Sequence, residues 1–181
     1  MAKNQIVIFS NKLIMPYSFS WGKDIIINEI MLLINSGKIK SILDVGAGAG
    51  VYGKLLKSYG YTGKLDALEI WDPYVEEFKL KETYDNVFVG DVRNFDLFLY
   101  DYVIFGDVVE HLTYADAKEV LKGLFGRAMI AVPFKMEQGE YAGNIYETHL
   151  QPDLTISVMK QRYPEFNCLT ANNEYGYFIN Y

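Results

Sequence analysis

The feature that most constrains the fold is a run of alternating glycines between a short apolar segment and an amphipathic one. Residues 44–50 read Asp-Val-Gly-Ala-Gly-Ala-Gly. The segment before the run, residues 41–45, is typical of a buried strand, and the segment after it has the spacing of a helix that ends near Gly60. Glycines permit a tight turn and let a ligand approach the backbone closely. The run therefore predicts a strand, a ligand-binding turn and a helix in direct succession.

Six further segments are typical of strands. Four of them are short apolar runs, at 65–69, 87–89, 102–105 and 128–132. The last two, 166–171 and 175–181, are joined by Asn172-Asn173-Glu174, a composition that indicates a hairpin turn.

Helix signals lie before and between these strands. An N-terminal helix is predicted over 24–36, with Ile26, Ile30, Leu33 and Ile34 on one side and Gly37 at a left-handed C-cap. Asp72 and Pro73 predict the start of a helix that continues to about Leu80. Thr113 and Asp116 resemble a capping box that opens a helix to about Leu124. A last helix is predicted over 152–162.

This alternation predicts an α/β fold. Strands separated by helices imply right-handed crossovers and a mainly parallel sheet, and the terminal hairpin adds an antiparallel strand. With 181 residues the chain is expected to form a single domain, 1–181, in which residues 1–36 are an N-terminal helical extension or lid. Ligands are expected at the carboxyl ends of the central strands.

Composition narrows the classes of partner and compartment. Hydrophobic residues make up 50% and charged residues 22% of the chain, as in soluble globular proteins. The net charge of −6 disfavours nucleic acid as a partner. The single cysteine, Cys168, excludes an internal disulfide and fits a reducing compartment, so the cytoplasm is expected. The apolar runs at 6–9 and 25–34 are too short for a signal peptide and a membrane span, respectively.

Two nucleotide-binding motifs share the strand-turn-helix pattern but fit this sequence less well. The dinucleotide fingerprint requires a third glycine three positions after the second, where this chain has Val51. A P-loop requires a Gly-Lys-Ser/Thr sequence, which does not follow the turn. A nicotinamide-dependent oxidoreductase stays open as an alternative at this point.

The acidic-x-Gly-x-Gly-x-Gly pattern of Asp44–Gly50 resembles the glycine motif of the class I S-adenosylmethionine-dependent methyltransferases. The resemblance extends from Lys40 to Tyr181. It implies a Rossmann-like, seven-stranded, mostly parallel sheet in the order 3-2-1-4-5-7-6, with strand 7 antiparallel and helices on both faces. It also implies that the segment with Tyr17, Phe19 and Trp21, before the first helix, closes over the cofactor and acceptor.

The resemblance implies S-adenosylmethionine as the cofactor and supplies roles for several residues. Glu69 ends the second strand and would accept both ribose hydroxyls, and Asp91 follows the third strand and would accept the adenine amino group. Trp71 would cover the adenine face. The full implied cofactor site comprises Asp44, Gly46, Ala47, Gly48, Gly50, Glu69, Ile70, Trp71, Asp91, Val92 and Asp107.

Two segments supply candidates for the acceptor site. Asp107-Val-Val-Glu-His111 resembles the family's Asp-x-x-Glu-His segment after the fourth strand, and the loop 143–149 contains the only other histidine, His149. Asp107, His111 and His149 are the candidate catalytic residues, because each could accept a proton from a hydroxyl acceptor. The candidate substrate-binding residues are Asn144, Tyr146, Glu147 and His149.

The sequence thus predicts a cytoplasmic methyltransferase that acts on a small or carrier-bound acceptor. A non-catalytic binding or regulatory protein with the same fold is the second possibility, because intact cofactor residues argue for binding and not for turnover. His111, Glu147 and His149 are residue types that ligate metals, but their spacing matches no standard metal motif, so no metal is predicted. No motif in the sequence indicates the acceptor or the oligomeric state.

Overall fold

The computed structural model of the protein describes residues 19–180. The predicted apolar run at 6–9, the first half of the predicted N-terminal extension and Tyr17 lie outside the described residues. So does Tyr181, at the end of the predicted last strand.

The described chain alternates between strands and helices as the sequence predicts. The strands are β1 (Ser41–Val45), β2 (Lys64–Glu69), β3 (Asn86–Val89), β4 (Tyr102–Gly106), β5 (Ala128–Pro133), β6 (Asn167–Ala171) and β7 (Tyr175–Ile179). The α-helices are α1 (Lys23–Asn35), α2 (Val51–Ser58), α3 (Pro73–Glu77), α4 (Leu80–Thr83), α5 (Tyr114–Leu121) and α6 (Ile156–Arg162). Short 3₁₀ turns, which the sequence did not indicate, cover Val92–Asn94, Leu97–Leu99, Val109–His111 and Ile145–Glu147.

The strands form one seven-stranded sheet in the order β3-β2-β1-β4-β5-β7-β6. β7 is antiparallel to both of its neighbours, and the pairs among β1 to β5 are parallel. The predicted fold class and strand order are therefore confirmed. β1 lies between β2 and β4. The strands that follow are therefore added first on one side of β1 and then on the other, and α/β sheets bind ligands in the crevice at such a point.

The central strands of the sheet are buried on both faces, which explains why β4 and β5 read as continuous apolar runs, whereas the edge strands β3 and β6 are half-buried or exposed. In β1, Ile42 points into one core layer, with α1 and α2, and its neighbour Leu43 points into the other, with α5 and α6. Both side chains are fully buried. Successive residues of a strand point to opposite faces, so this alternation confirms helices on both sides of the sheet.

Helix α1 is part of one of these core layers. Ile26, Ile27 and Ile30 are fully buried and pack in the same cluster as Ile42. The hydroxyl of Tyr177 on β7 donates a hydrogen bond to the carbonyl of Trp21, just before the helix, at 2.7 Å. In the described residues no helix is long and apolar enough to cross a membrane.

Three predicted helices have different bounds in the structure. The helix opened by Thr113 ends at Leu121 and not near Leu124. The helix predicted from Asp72 to Leu80 is broken in two, because Lys79 has a left-handed backbone with φ of 52°. The side chain of Asp72 makes no capping bond, since its own backbone is already helical. The helix predicted from Pro152 begins at Ile156, where the Thr155 hydroxyl accepts the N–H of Val158 at 3.1 Å and caps the helix.

The burial of α1 makes a prediction about stability. We expect Ile26→Ala to lower the free energy of unfolding by about 2–5 kcal/mol, since it leaves a cavity in the core. Ile25→Ala is the matched control: Ile25 is 43% exposed and Ile26 0%, and the control is expected to cost no more than about 0.5 kcal/mol. Urea unfolding measures both. Equal, small losses would mean that α1 is a detachable lid.

Candidate functional site

A cavity of about 270 Å³ lies at the carboxyl ends of β1, β2, β3 and β4. Its walls are the glycine turn, the ends of β2 and β3, the segment after β4 and the loop that contains Asn144. The volume is slightly below the usual range for small-molecule sites, which starts at about 300 Å³. The cavity lies where the sheet topology predicts a ligand.

The first glycine of the turn has no space for a side chain. Gly46 has a left-handed backbone with φ of 62°, and a Cβ atom built there would lie 2.6 Å from Cγ2 of Val108. The N–H of Gly46 donates to the carbonyl of Leu68 at 2.7 Å. The turn is therefore packed between the end of β2 and the segment after β4, and its backbone forms the cavity floor.

Glu69 links the glycine turn to the end of β2. One carboxylate oxygen accepts the N–H of Gly48 and the other accepts the N–H of Trp71, both at 2.9 Å. Burial raises the pKa of Glu69, and these hydrogen bonds act in the opposite direction. A carboxylate offers about four acceptor sites. The N–H groups of Gly48 and Trp71 occupy two of them, the N–H of Ile70 also favours the ionised form, and what remains faces the cavity that Glu69 lines.

Asp91 lines the cavity but is engaged by Arg93, which the sequence analysis did not single out. The guanidinium of Arg93 bonds both carboxylate oxygens, at 2.5–3.0 Å, and its backbone N–H bonds Oδ1 at 2.9 Å. These hydrogen bonds lower the pKa of Asp91. Arg93 also lies 3.3 Å from Asp116, which lines the cavity too. This wall therefore consists of an ion pair that holds Asp91 in the ionised form.

Asp107 lies at the end of β4 and has an unusual backbone. Its φ of 59° is left-handed, a conformation that costs a non-glycine residue roughly 1–3 kcal/mol and that clusters at functional sites. Oδ1 of Asp107 accepts the hydroxyl of Tyr175 at 2.7 Å. Nearby, Lys23 lies with its ammonium 4.0 Å from the ring centre of Tyr52, and burial lowers its pKa to about 8 although Asp107 and Asp44 attract a proton to it.

Asp44 lies beneath the turn and not at the cavity surface. Its Oδ2 accepts the hydroxyl of Tyr84 at 2.5 Å. Burial raises the pKa of Asp44 to about 7, although the Tyr84 hydrogen bond and the charge of Lys23 favour ionisation. The carboxyl therefore supports the turn through Tyr84, which also accepts the N–H of Gly53 at 3.3 Å.

The two histidines lie together. Their ring centres are 4.8 Å apart in an edge-to-face arrangement. Burial lowers the pKa of His111 to about 4 and also lowers the pKa of His149. Both imidazoles are therefore neutral at pH 7. His111 lines the cavity, whereas His149 does not.

The loop beside the histidines is tied to helix α3. Asn144 accepts the N–H of Tyr146 at 3.0 Å and donates to Oε1 of Glu147 at 3.3 Å. The hydroxyl of Tyr74 donates to the same oxygen at 2.9 Å. Asn144 and Glu147 are both buried and line the cavity, so these hydrogen bonds join the cavity wall to α3.

Most of the predicted site residues line the cavity. They are Gly46, Ala47, Gly48, Glu69, Ile70, Asp91, Val92, Asp107, His111, Asn144, Tyr146 and Glu147. Four predicted residues are absent from the lining: Asp44, Gly50, Trp71 and His149. The ring of Trp71 lies against that of Tyr146, 6.4 Å between centres.

Sequence reasoning missed several lining residues. Tyr52 and Tyr74 lie in the first turns of the helices that follow β1 and β2, and Arg93 lies just after the β3 acid. A signal was available for all three, since first-turn positions after a strand face the carboxyl edge of the sheet. Thr148 and Leu150 carry no such signal.

Comparisons with known proteins identify the fold. No family model and no curated protein matches the chain. A protein from Pyrococcus horikoshii OT3 is similar in structure over 91% of this chain and 92% of its own, with a TM-score of 0.57 and 18% identity. The magnesium protoporphyrin IX methyltransferase of Synechocystis PCC 6803, solved with bound SAH, aligns over 86% of this chain and 81% of its own (TM-score 0.56, 14% identity).

A SAM-dependent methyltransferase from Aquifex aeolicus aligns over 82% of this chain and 86% of its own, with a TM-score of 0.54 and 16% identity. Together with the strand order, these likenesses show that the chain has the Rossmann-like fold of the class I S-adenosylmethionine-dependent methyltransferases.

The buried Asp44 makes a prediction about pH. Because the folded pKa of about 7 lies above the ordinary 3.8, Asp44 binds its proton more tightly in the folded state. Its contribution to stability is complete below about pH 4 and is lost as the pH rises towards about 7. Relative to Asp44→Asn, the wild type should lose up to about 1.4 kcal/mol of unfolding free energy per pH unit in that range.

Urea unfolding of the ligand-free protein at several pH values measures this difference. Asp72→Asn, at an exposed carboxyl, is the control and should follow the wild type at every pH. A constant difference between wild type and Asp44→Asn across the range would show that Asp44 titrates as an exposed acid does.

Proposed function

We propose that this protein is an S-adenosylmethionine-dependent methyltransferase that acts on a small or carrier-bound acceptor. The observation that carries the proposal is Glu69, a buried carboxylate held by the N–H groups of Gly48 and Trp71 with acceptor sites left towards the cavity. A vicinal diol offers two O–H donors, which suits such a carboxylate. The fold of the chain is consistent with this proposal.

The cavity offers a suitable residue for each part of the cofactor: the ribose, the adenine and the methionine. In the proposed site Glu69 would accept the ribose hydroxyls, and the backbone of Gly46 and Gly48 would lie beside the nucleoside. Ile70 and Val92, which line the cavity, would supply apolar contacts to the adenine. Asp91 would accept the adenine amino group from its place beside Arg93. Asp107 would accept the methionine amino group at the opposite end.

Charge supplies a second argument for this cofactor. When bound, S-adenosylmethionine supplies a methyl group on a positively charged sulfur. Glu69, Asp91, Asp107 and Glu147 all line the cavity. A cationic ligand offsets the cost of burying Glu69 and Glu147, whose pKa values burial raises. An anionic dinucleotide would increase that cost, which disfavours the nicotinamide alternative.

The residues around the acceptor act by orientation and by proton removal. Asn144, Tyr146 and Glu147 would hold the acceptor in line with the methyl group, and such positioning supplies much of the acceleration in transfer reactions. His111, which is neutral at pH 7, would accept the proton of a hydroxyl acceptor. The ring of His149 contacts that of His111 but does not line the cavity, so we assign His149 to positioning His111 and not to direct proton removal.

Cofactor binding tests the proposal. Calorimetric titration with S-adenosylmethionine and S-adenosylhomocysteine should detect binding, whereas NADH and ATP should not bind. Glu69→Ala should weaken binding at least about tenfold, because each hydrogen bond to a charged group contributes about 1.5–3 kcal/mol and Glu69 would accept two. Glu77→Ala, at an exposed acid on α3, is the matched control and should bind as the wild type does.

Each outcome has a distinct meaning. Binding of NADH instead of the sulfur nucleosides would replace the proposal by the oxidoreductase alternative. No binding of any nucleotide by the folded wild type would overturn it in favour of a non-catalytic protein. Glu69 also holds the turn, so circular dichroism of Glu69→Ala must match the wild type before its binding data are compared.

A further inference from the structure

Glu110, His111 and His149 form a cluster of metal-ligating groups beside the cavity. One ligand atom from each residue lies within 4.8 Å of the others. Glu110 and His149 are 1% and 8% exposed. The cluster joins two separate parts of the chain, the turn after β4 and the end of the loop 143–149.

Two of these residues present buried polar atoms without hydrogen-bond partners. Both carboxylate oxygens of Glu110 and Nε2 of His149 are buried and make no hydrogen bond in the described structure. Burial of such groups is costly unless a partner or an ion satisfies them. A cation or a hydrogen-bond donor at the cluster would offset the cost of burying these three atoms.

The hydrogen bonds of the two histidines favour the tautomer that leaves Nε2 able to bind a metal. Nδ1 of His149 lies 2.8 Å from the carbonyl oxygen of Met136, and Nδ1 of His111 lies 3.3 Å from that of Thr148. A carbonyl only accepts, so each Nδ1 carries the proton and donates it. This leaves the lone pair on Nε2 of both rings, and metal-bound histidines are oriented by the same kind of backbone contact.

Backbone hydrogen bonds build the cluster. The N–H groups of Leu150 and Gln151 both donate to the carbonyl of Glu110, at 2.7 and 3.0 Å. The side-chain amide of Gln151 donates to the carbonyls of Val109 and Leu112. These bonds hold the backbone of residue 149 against that of residues 110 and 111.

We propose that Glu110, His111 and His149 bind a divalent first-row transition metal ion. One carboxylate and two imidazoles are donors that suit zinc, cobalt, iron and manganese. Ligand atoms around a tetrahedral ion lie about 3.4 Å apart, so binding draws the three side chains inwards by about 1 Å. The unpartnered carboxylate of Glu110 is free to make that movement.

The site differs from the one that the sequence suggested and rejected. The set considered from the sequence contained Glu147 and the two histidines. In the structure the carboxylate of Glu147 is bonded to Tyr74, Asn144 and Gln138, whereas Glu110 faces the histidines. The metal site follows only from the turn that brings Glu110 and His111 against His149.

Three protein ligands leave coordination positions open. His111 lines the cavity, so an open position on the ion can face an acceptor there. This consequence rests on the proposed function: with Nε2 of His111 on the ion, an oxygen acceptor bound to the ion would be oriented there and would release its proton to solvent at a lower pH, and the ion would replace His111 in that role. The metal site itself requires only the three ligands, so it is tested without cofactor or acceptor.

The experiment is a titration of the untagged, chelator-treated full chain with Co²⁺, monitored by absorbance, and competition with Zn²⁺. We expect one ion per chain, with binding weakened at least about tenfold in Glu110→Gln and in His149→Gln. Glu137→Gln changes an exposed acid between β5 and His149, and this variant should bind the metal as the wild type does. Cys168→Ser, which removes the one free thiol, should also bind normally.

A second measurement avoids reliance on the variants. The chain has two histidines, so the imidazole nitrogen resonances of ¹⁵N-labelled wild type are readily assigned. Zn²⁺ should shift Nε2 of both rings at a one-to-one ratio. Absence of binding by folded wild type, unshifted imidazoles, or binding that Glu110→Gln leaves intact would overturn the proposal. Binding of S-adenosylmethionine is measured separately, so failure of either proposal is recognised independently.

Discussion

The parallel pairing of β1 between β2 and β4 is the constraint on which the site depends. It places the carboxyl ends of three strands at one edge of the sheet, with Val45, Glu69 and Gly106 at their last positions. The chain leaves β1 through the glycine turn, and Glu69 bonds that turn from the neighbouring strand. The result is a cavity at the carboxyl ends of these strands, with the backbone of the glycine turn as its floor.

The cost of this arrangement is a concentration of buried acids. Asp44, Glu69, Glu110 and Glu147 all have pKa values that burial raises. Lys23 is a buried cation close to Asp44 and Asp107, and burial lowers its own pKa. Both proposed ligands, a cofactor with a sulfonium group and a divalent ion, are cationic. Each would lower the electrostatic cost of burying these carboxyl groups.

Local signals succeeded where one interaction dominates and failed where several compete. The capping hydroxyl of Thr113 accepts the N–H of Asp116 as expected, since an N-cap depends on adjacent residues only. Asp72 and Pro73 carry an equally good signal, yet Asp72 makes no capping bond and the helix breaks at Lys79. Packing of the segment against the core overrides propensity there.

The sequence by itself determined the strand-turn-helix at Asp44–Gly50, the alternation of strands and helices, and the acids at the strand ends, because each rests on contacts between neighbours in the chain. Strand order came from the family resemblance carried by that motif. Only the tertiary structure decided that Arg93 occupies Asp91, that Asp44 supports the turn from below, and that Glu110 faces the histidines. Residues 110 and 149 meet through hydrogen bonds between distant segments, and no local periodicity encodes such contacts.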